Sequence, residues 1–305
     1  MNLVICHTPF QMYLFEKILK KYPNEEYHLI NYFFTDTPKR KYYFKRLSKF
    51  CLVSEEVFCI NGFQLFLKTF YLSRRYKNQR YNKVFLSSID SILCQTILSS
   101  IVFDELITFD DGLANITQSS VLYMENQSSL VTLANKILGN KYSIQAIKNK
   151  VSKHFTIFDA PNISPNLEKI EIIDDVCGEI SNVNPEKNSQ VSILLGQPLY
   201  STNSENIHFY KKVINLISID YYFPHPREDY HLDNISYIDT ELIFEEYIIS
   251  LLKKYKTIKI YTIFSTAVFS FLNFENILIK MIPVEGFEEI QQSLIDFGIT
   301  KEEIE

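Results

Sequence analysis

The chain has 305 residues, of which 46% are hydrophobic and 22% charged, with a formal net charge of −5. That length asks for two hydrophobic cores rather than one, and the composition is globular, which excludes disordered and fibrous classes. The negative balance argues against a general nucleic-acid binder, whose affinity for phosphates needs a positive surface.

Leu3–Cys6 is a short apolar run that ends at His7-Thr8-Pro9, and residues Phe10–Leu19 follow with helical spacing. The pattern predicts a buried strand, a loop and a helix. The unit recurs with a strand at Tyr27–Phe34 and a helix at Lys39–Lys49, then a strand at Val57–Ile60 and a helix at Phe63–Tyr76. Asn82–Leu86 and Ile89–Ser99 form the next pair, and the strand Glu105–Phe109 ends in Asp110-Asp111-Gly112. Residues 140–190 are less regular, with one strand at His154–Phe158 and turn-rich segments at Asn162–Pro165 and Asn182–Asn188.

A second series starts with the strand Val191–Leu195, closed by Gly196-Gln197-Pro198. A helix is predicted over Glu205–Ile217, a strand over Asp220–Phe223 and a helix over Ile243–Lys254. Thr257–Tyr261 reads as a strand, Ser265 opens a helix to Leu272, and Glu275–Met281 closes the sheet. Such alternation implies largely parallel, doubly wound sheets. The expected domains are residues 1–160 and 191–285, joined by a linker at 161–190 and followed by a helical tail at 286–305. No G-x-G-x-x-G or Walker motif occurs, so dinucleotide dehydrogenases and P-loop enzymes lose their usual support.

Five cysteines (Cys6, Cys51, Cys59, Cys94, Cys177) are scattered without C-x-x-C spacing, so neither a disulfide framework nor a zinc site is expected. Reduced core thiols fit a cytoplasmic protein. The segment Met1–His7 has no basic leader, and no window approaches the roughly 18 apolar residues of a membrane span. Membrane contact is therefore expected to be peripheral, at the inner face of the cytoplasmic membrane. Two basic clusters flanked by aromatics, Lys39-Arg40-Lys41 with Lys45 and Arg46, and Arg74-Arg75 with Lys77 and Arg80, are candidates to meet anionic lipid.

Open parallel sheets bind ligands beyond the carboxyl ends of their strands, and three polar clusters fall at such ends. In Asp110-Asp111-Gly112 a carboxylate facing a crowded site suits a general base, and Gly112 permits a tight turn. In Pro224-His225-Pro226-Arg227-Glu228 two prolines hold a histidine in extended backbone, where it can reach a phosphate oxygen or a leaving group. Arg227 and Glu228 equally fit a surface ion pair. Ser265-Thr266 puts two hydroxyls at a helix start, which suits an anion. Solvated turns and ordinary caps explain the first and third clusters about as well. Together the clusters suit transfer from a nucleotide-activated donor.

The order Asp110-Asp111-Gly112, His225-Pro226, Ser265-Thr266 resembles bacterial sialyltransferases, which carry an acidic-acidic-Gly motif, a His-Pro motif and a hydroxyl pair. His7-Thr8-Pro9-Phe10-Gln11 and Leu194–Leu199 are similar to glycosyltransferase family 52, which includes the lipooligosaccharide sialyltransferases. The resemblance runs from the first strand to about residue 285. It implies a GT-B fold, two Rossmann-like doubly wound domains facing a central cleft. It also implies CMP-sialic acid as donor, a glycan acceptor ending in galactose, inversion at the anomeric carbon, and neither metal nor cofactor. By the same resemblance a protonated His225 serves the CMP leaving group, and Ser265 and Thr266 hold the donor phosphate beside Gly196, Gln197, Pro198, Pro226 and Arg227. The base falls to Asp110, Asp111 or Glu205, the last standing where the family has Asp. His7, Thr8, Gln11 and Gly112 are expected to line the acceptor side or to contact sialic acid, and a homodimer is expected. Two other readings keep the sequence facts: a hexosyltransferase using another nucleotide sugar, and a non-catalytic glycan- or nucleotide-binding subunit.

Overall fold

Strands β1 (Asn2–Cys6) and β2 (Tyr27–Phe33) are buried along their whole length, as parallel strands covered on both faces must be. In this computed structural model residues 1–117, 120–123, 129–172 and 189–303 are described. They fall into two compact units, Met1–Ile172 and Ile173–Glu305.

The first unit continues with β3 (Val53–Phe58), β4 (Arg80–Leu86), β5 (Val102–Phe109), β6 (Lys153–Thr156) and β7 (Leu167–Lys169). The sheet order is β3-β2-β1-β4-β5-β6-β7, and every pairing is parallel. The chain leaves β1 in one direction and β4 in the other, so the switch point lies between them. Helices α1 (Pro9–Leu19), α2 (Pro38–Ser48), α3 (Gly62–Arg75), α4 (Ile92–Ser100), α5 (Ser129–Leu138) and α6 (Ile144–Lys150) make the crossovers and cover the sheet. The helices begin where their caps dictate. Thr8, Thr37, Asn61 and Ser143 each accept the backbone N–H three residues on. Pro9 and Pro38 take the first helical position, where a missing N–H costs nothing.

The second unit contains β8 (Gln190–Leu195), β9 (Tyr221–Phe223), β10 (Thr257–Thr262), β11 (Ile277–Met281) and β12 (Thr300–Lys301). Its order is β12-β11-β10-β8-β9, again all parallel, with the switch point between β8 and β10. Among its described residues the helices are α7 (Asn203–Leu216), α8 (Phe244–Leu251) and α9 (Glu288–Asp296). The core joins Leu194, Tyr210, Tyr222, Tyr261 and Ile263.

Several expectations shift. The third strand starts at Val53, not Val57, because β3 is a sheet edge whose Glu55 and Glu56 interrupt the apolar run while pairing with Arg75 and Arg40. Residues 167–169, expected in the linker, form β7 on the first sheet. Beyond residue 285 the helix α9 leads into β12, so the second sheet is closed by β12 rather than by the strand ending at Met281. The helix expected from Ser265 is a 3₁₀ segment, Thr266–Phe271. Cys177, the turn-rich Asn182–Asn188 and the middle of the expected linker lie outside the described residues. Cys6, Cys59 and Cys94 are buried thiols, and burial pushes their pKa values up. Among the described residues no helix is long and apolar enough to cross a membrane.

Candidate functional site

In the first unit the carboxyl ends of β1, β4 and β5 are neighbours, and three polar side chains meet there. Gln11, in the first turn of α1, is fully buried. Its Oε1 accepts from the His7 backbone N–H at 2.6 Å, and its Nε2 donates to Ser88 Oγ at 3.0 Å and to Asp111 Oδ1. Ser88 Oγ in turn donates to Asp111 Oδ2 at 3.1 Å. Burial pushes the Asp111 carboxyl up to about 6; the Gln11 and Ser88 hydrogen bonds hold it down, and Asp90 pushes it further up. A carboxyl poised there switches charge near neutral pH and can accept a proton from a bound hydroxyl.

Around this core His7 stacks on Tyr32 with centroids 4.5 Å apart, and its Nδ1 lies 2.9 Å from the Tyr32 carbonyl. A carbonyl only accepts, so Nδ1 carries the proton in this contact. Thr8 spends its hydroxyl on the α1 cap, accepting from Gln11 N at 3.2 Å. Gly112 has φ +124°, a backbone only glycine adopts freely. The next residues form a 3₁₀ turn whose Asn115 accepts the Asp111 N–H at 2.8 Å.

Asp110 is elsewhere. It is fully buried and turned toward β6. Its Oδ1 accepts from His154 Nε2 at 3.0 Å and Asn162 Nδ2 at 3.1 Å, and its Oδ2 from the Ile157 N–H at 2.7 Å. His154 Nδ1 meets Thr108 Oγ1 at 2.8 Å. A carboxylate occupied in this way and closed to solvent ties β5 to the segment after β6; it has no free face for an acceptor hydroxyl. Of the adjacent acids only Asp111 joins the site.

In the second unit the loops after β10, β8 and β9 are neighbours in the same sense. Gly196 follows β8 against the hydroxyl end of Tyr222. A Cβ there would lie 2.3 Å from Tyr222 Oη and 2.6 Å from Glu228 Oε2. Glu228 Oε2 accepts from Tyr222 Oη at 2.8 Å and from the His225 N–H at 3.3 Å. Glu228 is thus folded inward, its pKa raised by burial, rather than standing in a surface ion pair with Arg227. Gln197 is held through its backbone, which both donates to and accepts from Tyr210 Oη, at 2.6 and 2.9 Å. Pro198 leads into a loop wrapped around buried Asn206, which binds Leu199, Tyr200 and Thr202 through their backbones.

His225 Nδ1 accepts the Arg227 N–H at 3.1 Å, so its Nε2–H is the outward donor. Burial pushes its pKa down to about 4, with the Arg227 guanidinium adding to the effect. The imidazole is therefore neutral in the ligand-free protein, in contrast to the protonated His225 expected from the sequence. Pro226 and Arg227 are exposed beside it. Ser265 follows β10; its N–H donates to Thr262 Oγ1 at 2.9 Å, its side chain caps nothing, and Thr266 opens the 3₁₀ segment.

Glu205 sits on the exposed first turn of α7, where its carboxylate accepts from the Thr202 hydroxyl at 2.5 Å and completes a cap. The sequence reading missed Ser88, Asn206, Tyr210 and Tyr222. Ser88 had a usable signal, since it follows the carboxyl end of the strand Asn82–Leu86.

The chain matches glycosyltransferase family 52 over residues 24–285. It is 35% identical to the N-acetyllactosaminide alpha-2,3-sialyltransferase of Haemophilus influenzae over 98% of both chains. It is 36% identical to the CMP-N-acetylneuraminate:beta-galactoside alpha-2,3-sialyltransferase of Pasteurella multocida, covering 90% of this chain and 88% of that one. The solved glycotransferase of kitacinnamycin shares the fold, with a TM-score of 0.52 at 9% identity over 98% of this chain and 85% of that one. Two parallel α/β units of the GT-B class and a match that runs through both of them lead to one conclusion: the chain belongs to glycosyltransferase family 52.

Proposed function

We propose that this glycosyltransferase moves N-acetylneuraminic acid from CMP-Neu5Ac to a galactoside hydroxyl of lipooligosaccharide or another surface glycan, forming an alpha-2,3 linkage. The observation that carries the reading is the near full-length identity to two alpha-2,3-sialyltransferases. The side chains suit the chemistry. Asp111, with its carboxyl pushed up to about 6, takes the proton of the attacking hydroxyl. The new bond forms at the anomeric carbon as its bond to the CMP phosphate oxygen breaks, with inversion. The departing CMP gathers negative charge, and the His225 Nε2–H donates to it. Binding of the donor phosphate raises the imidazole pKa, so a histidine neutral at rest becomes a cation when the charge appears. Ser265 and Thr266 receive the same phosphate without a metal ion. Gly196, Gln197 and Pro198 face the nucleotide. Arg227, exposed beside His225, takes the sialic acid carboxylate.

The test is CMP release from CMP-Neu5Ac with lactose and EDTA present, comparing wild type with Asp111→Asn, Glu205→Gln and His225→Ala. Lactose-stimulated release that collapses in Asp111→Asn and His225→Ala but persists in Glu205→Gln supports the assignment. Collapse in Glu205→Gln alone transfers the base to Glu205. Turnover of UDP-sugars instead makes the chain a hexosyltransferase. Silence with every donor favours a binding subunit.

A further inference from the structure

Between Val57 and Ile89 the sequence has six basic residues and no acidic one, and between Asn126 and Phe158 five lysines and no acid, in a chain of net charge −5. The first stretch contains α3 and the second α5, and these helices pack side by side in the first unit. The inner face of α3 is buried through Thr69, Leu72 and Ser73. Its outer face is a stripe of Phe63, Leu67, Phe70 and Tyr71, all exposed, Phe63 by 69% and Tyr71 by 62%. Ile60, just before the cap of α3, extends the stripe, and Leu133 and Ile137, one turn apart on α5, are more than half exposed as well. Scattered apolar residues are ordinary on a surface; a continuous helical stripe of this size marks an interaction site.

The charge around the stripe narrows the partner. Arg75 pairs with Glu55 at 2.6 Å and Arg80 with Asp104 at 2.8 Å. Lys68, Arg74 and Lys77 form no ion pair among the described residues. Arg74 lies over the Phe70 ring at 4.8 Å, its stem along apolar surface and its charge at the rim. The two arginines of the other basic cluster are spent internally: Arg40 pairs with Asp36 and Glu56, and Arg46 with Glu16.

We propose that the α3–α5 face of the first unit is a docking surface for an anionic bilayer. Its aromatic and aliphatic ridge enters the interface while Lys68, Arg74 and Lys77 meet lipid phosphates. The strands of the first unit are parallel, so the start of α3 and the loops bearing Gln11, Ser88 and Asp111 lie at the same sheet edge. Docking there presents that edge to a sugar carried on a lipid; this last step rests on the transferase reading, whereas the docking itself does not.

The experiment is flotation of the full chain with vesicles of phosphatidylglycerol and phosphatidylethanolamine, or of phosphatidylcholine alone, at low and high salt. Wild type binds the anionic vesicles and releases in salt. Phe63→Glu/Leu67→Glu lowers partition on the order of tenfold or more, and Arg74→Glu/Lys77→Glu removes the salt-sensitive part. Both variants keep the wild-type melting temperature and turnover of soluble lactose. Absence of wild-type binding, or binding unchanged in Phe63→Glu/Leu67→Glu, overturns the proposal. A wild-type dimer that this variant dissociates assigns the face to a second copy and overturns it too. A protein that docks but transfers nothing to lactose keeps the surface and loses the transferase reading.

Discussion

Gln11 at the start of α1 donates its side-chain amide to Asp111 at the end of β5, one hundred residues further along the chain. The contact crosses the switch point of the first sheet and is anchored by the same amide on Ser88. It holds the Asp111 carboxyl below the value burial alone would give. Replacing Gln11 with Leu removes a donor to the charged form, so the Asp111 pKa rises. The acidic limb of the kcat/KM profile, near pH 6 in wild type, then moves to higher pH. A limb that stays in place separates Asp111 from the proton transfer.

Asp111→Asn lowers kcat roughly 10²- to 10⁴-fold and at the same time stabilises the fold at alkaline pH. The sign follows from linkage. The folded pKa of about 6 exceeds the ordinary aspartate value of 3.8, so the native state holds the extra proton and wild type loses stability as pH rises between these values. The neutral amide has no such loss. Thermal melts at pH 4 and pH 8 check it: the Tm gap between variant and wild type widens in the variant's favour at pH 8.

Asp110→Ala gives the opposite pair of effects. It strips the acceptor from His154 Nε2, Asn162 Nδ2 and the Ile157 N–H inside the fold. Breaking a buried polar cluster of this kind costs about 3–5 kcal/mol, measured as a drop in the urea midpoint. The protein that remains folded keeps the wild-type pH profile.

These neighbours show where the sequence stops being informative. Both carboxylates end the same predicted strand, and the alternation of side chains says only that they face opposite ways. Which one turns inward is decided by His154 and Asn162, brought alongside by β6. A surface ion pair fits Glu228 from sequence for the same reason: Tyr222 on β9 and Gly196 just after β8, which enclose it, meet only through strand pairing. The doubly wound pattern was legible because buried parallel strands are nearly pure apolar runs. Edge strands were not, and β3, β7 and β12 were shortened or missed because their exposed residues break the run.

Gly196→Ala raises KM for the donor and destabilises the second unit by about 1–3 kcal/mol, the cost of an overpacked contact. The added methyl would press on Tyr222 and on Glu228, whose carboxylate accepts the His225 N–H. Tyr222→Phe does not rescue the variant, because Tyr222 Cζ and Glu228 Oε2 remain 2.7 and 2.6 Å from the new carbon. Donor KM measured in the single and double variants checks this.

Two influences of the same sign set where His225 titrates. In the free protein burial and the Arg227 charge keep it near 4, below the ordinary histidine value of 6.5. The unfolded chain therefore takes up a proton that the folded one refuses, and this part of the stability is lost as pH falls from 6.5 toward 4. Arg227→Gln removes a positive neighbour, so the His225 resonance titrates at higher pH in an NMR series. CMP, whose phosphate supplies negative charge, shifts the wild-type titration upward as well. If CMP leaves the His225 titration unmoved while binding normally, the imidazole is not at the phosphate. The leaving-group role then passes to the hydroxyl of Ser265 and the turn that Thr266 opens.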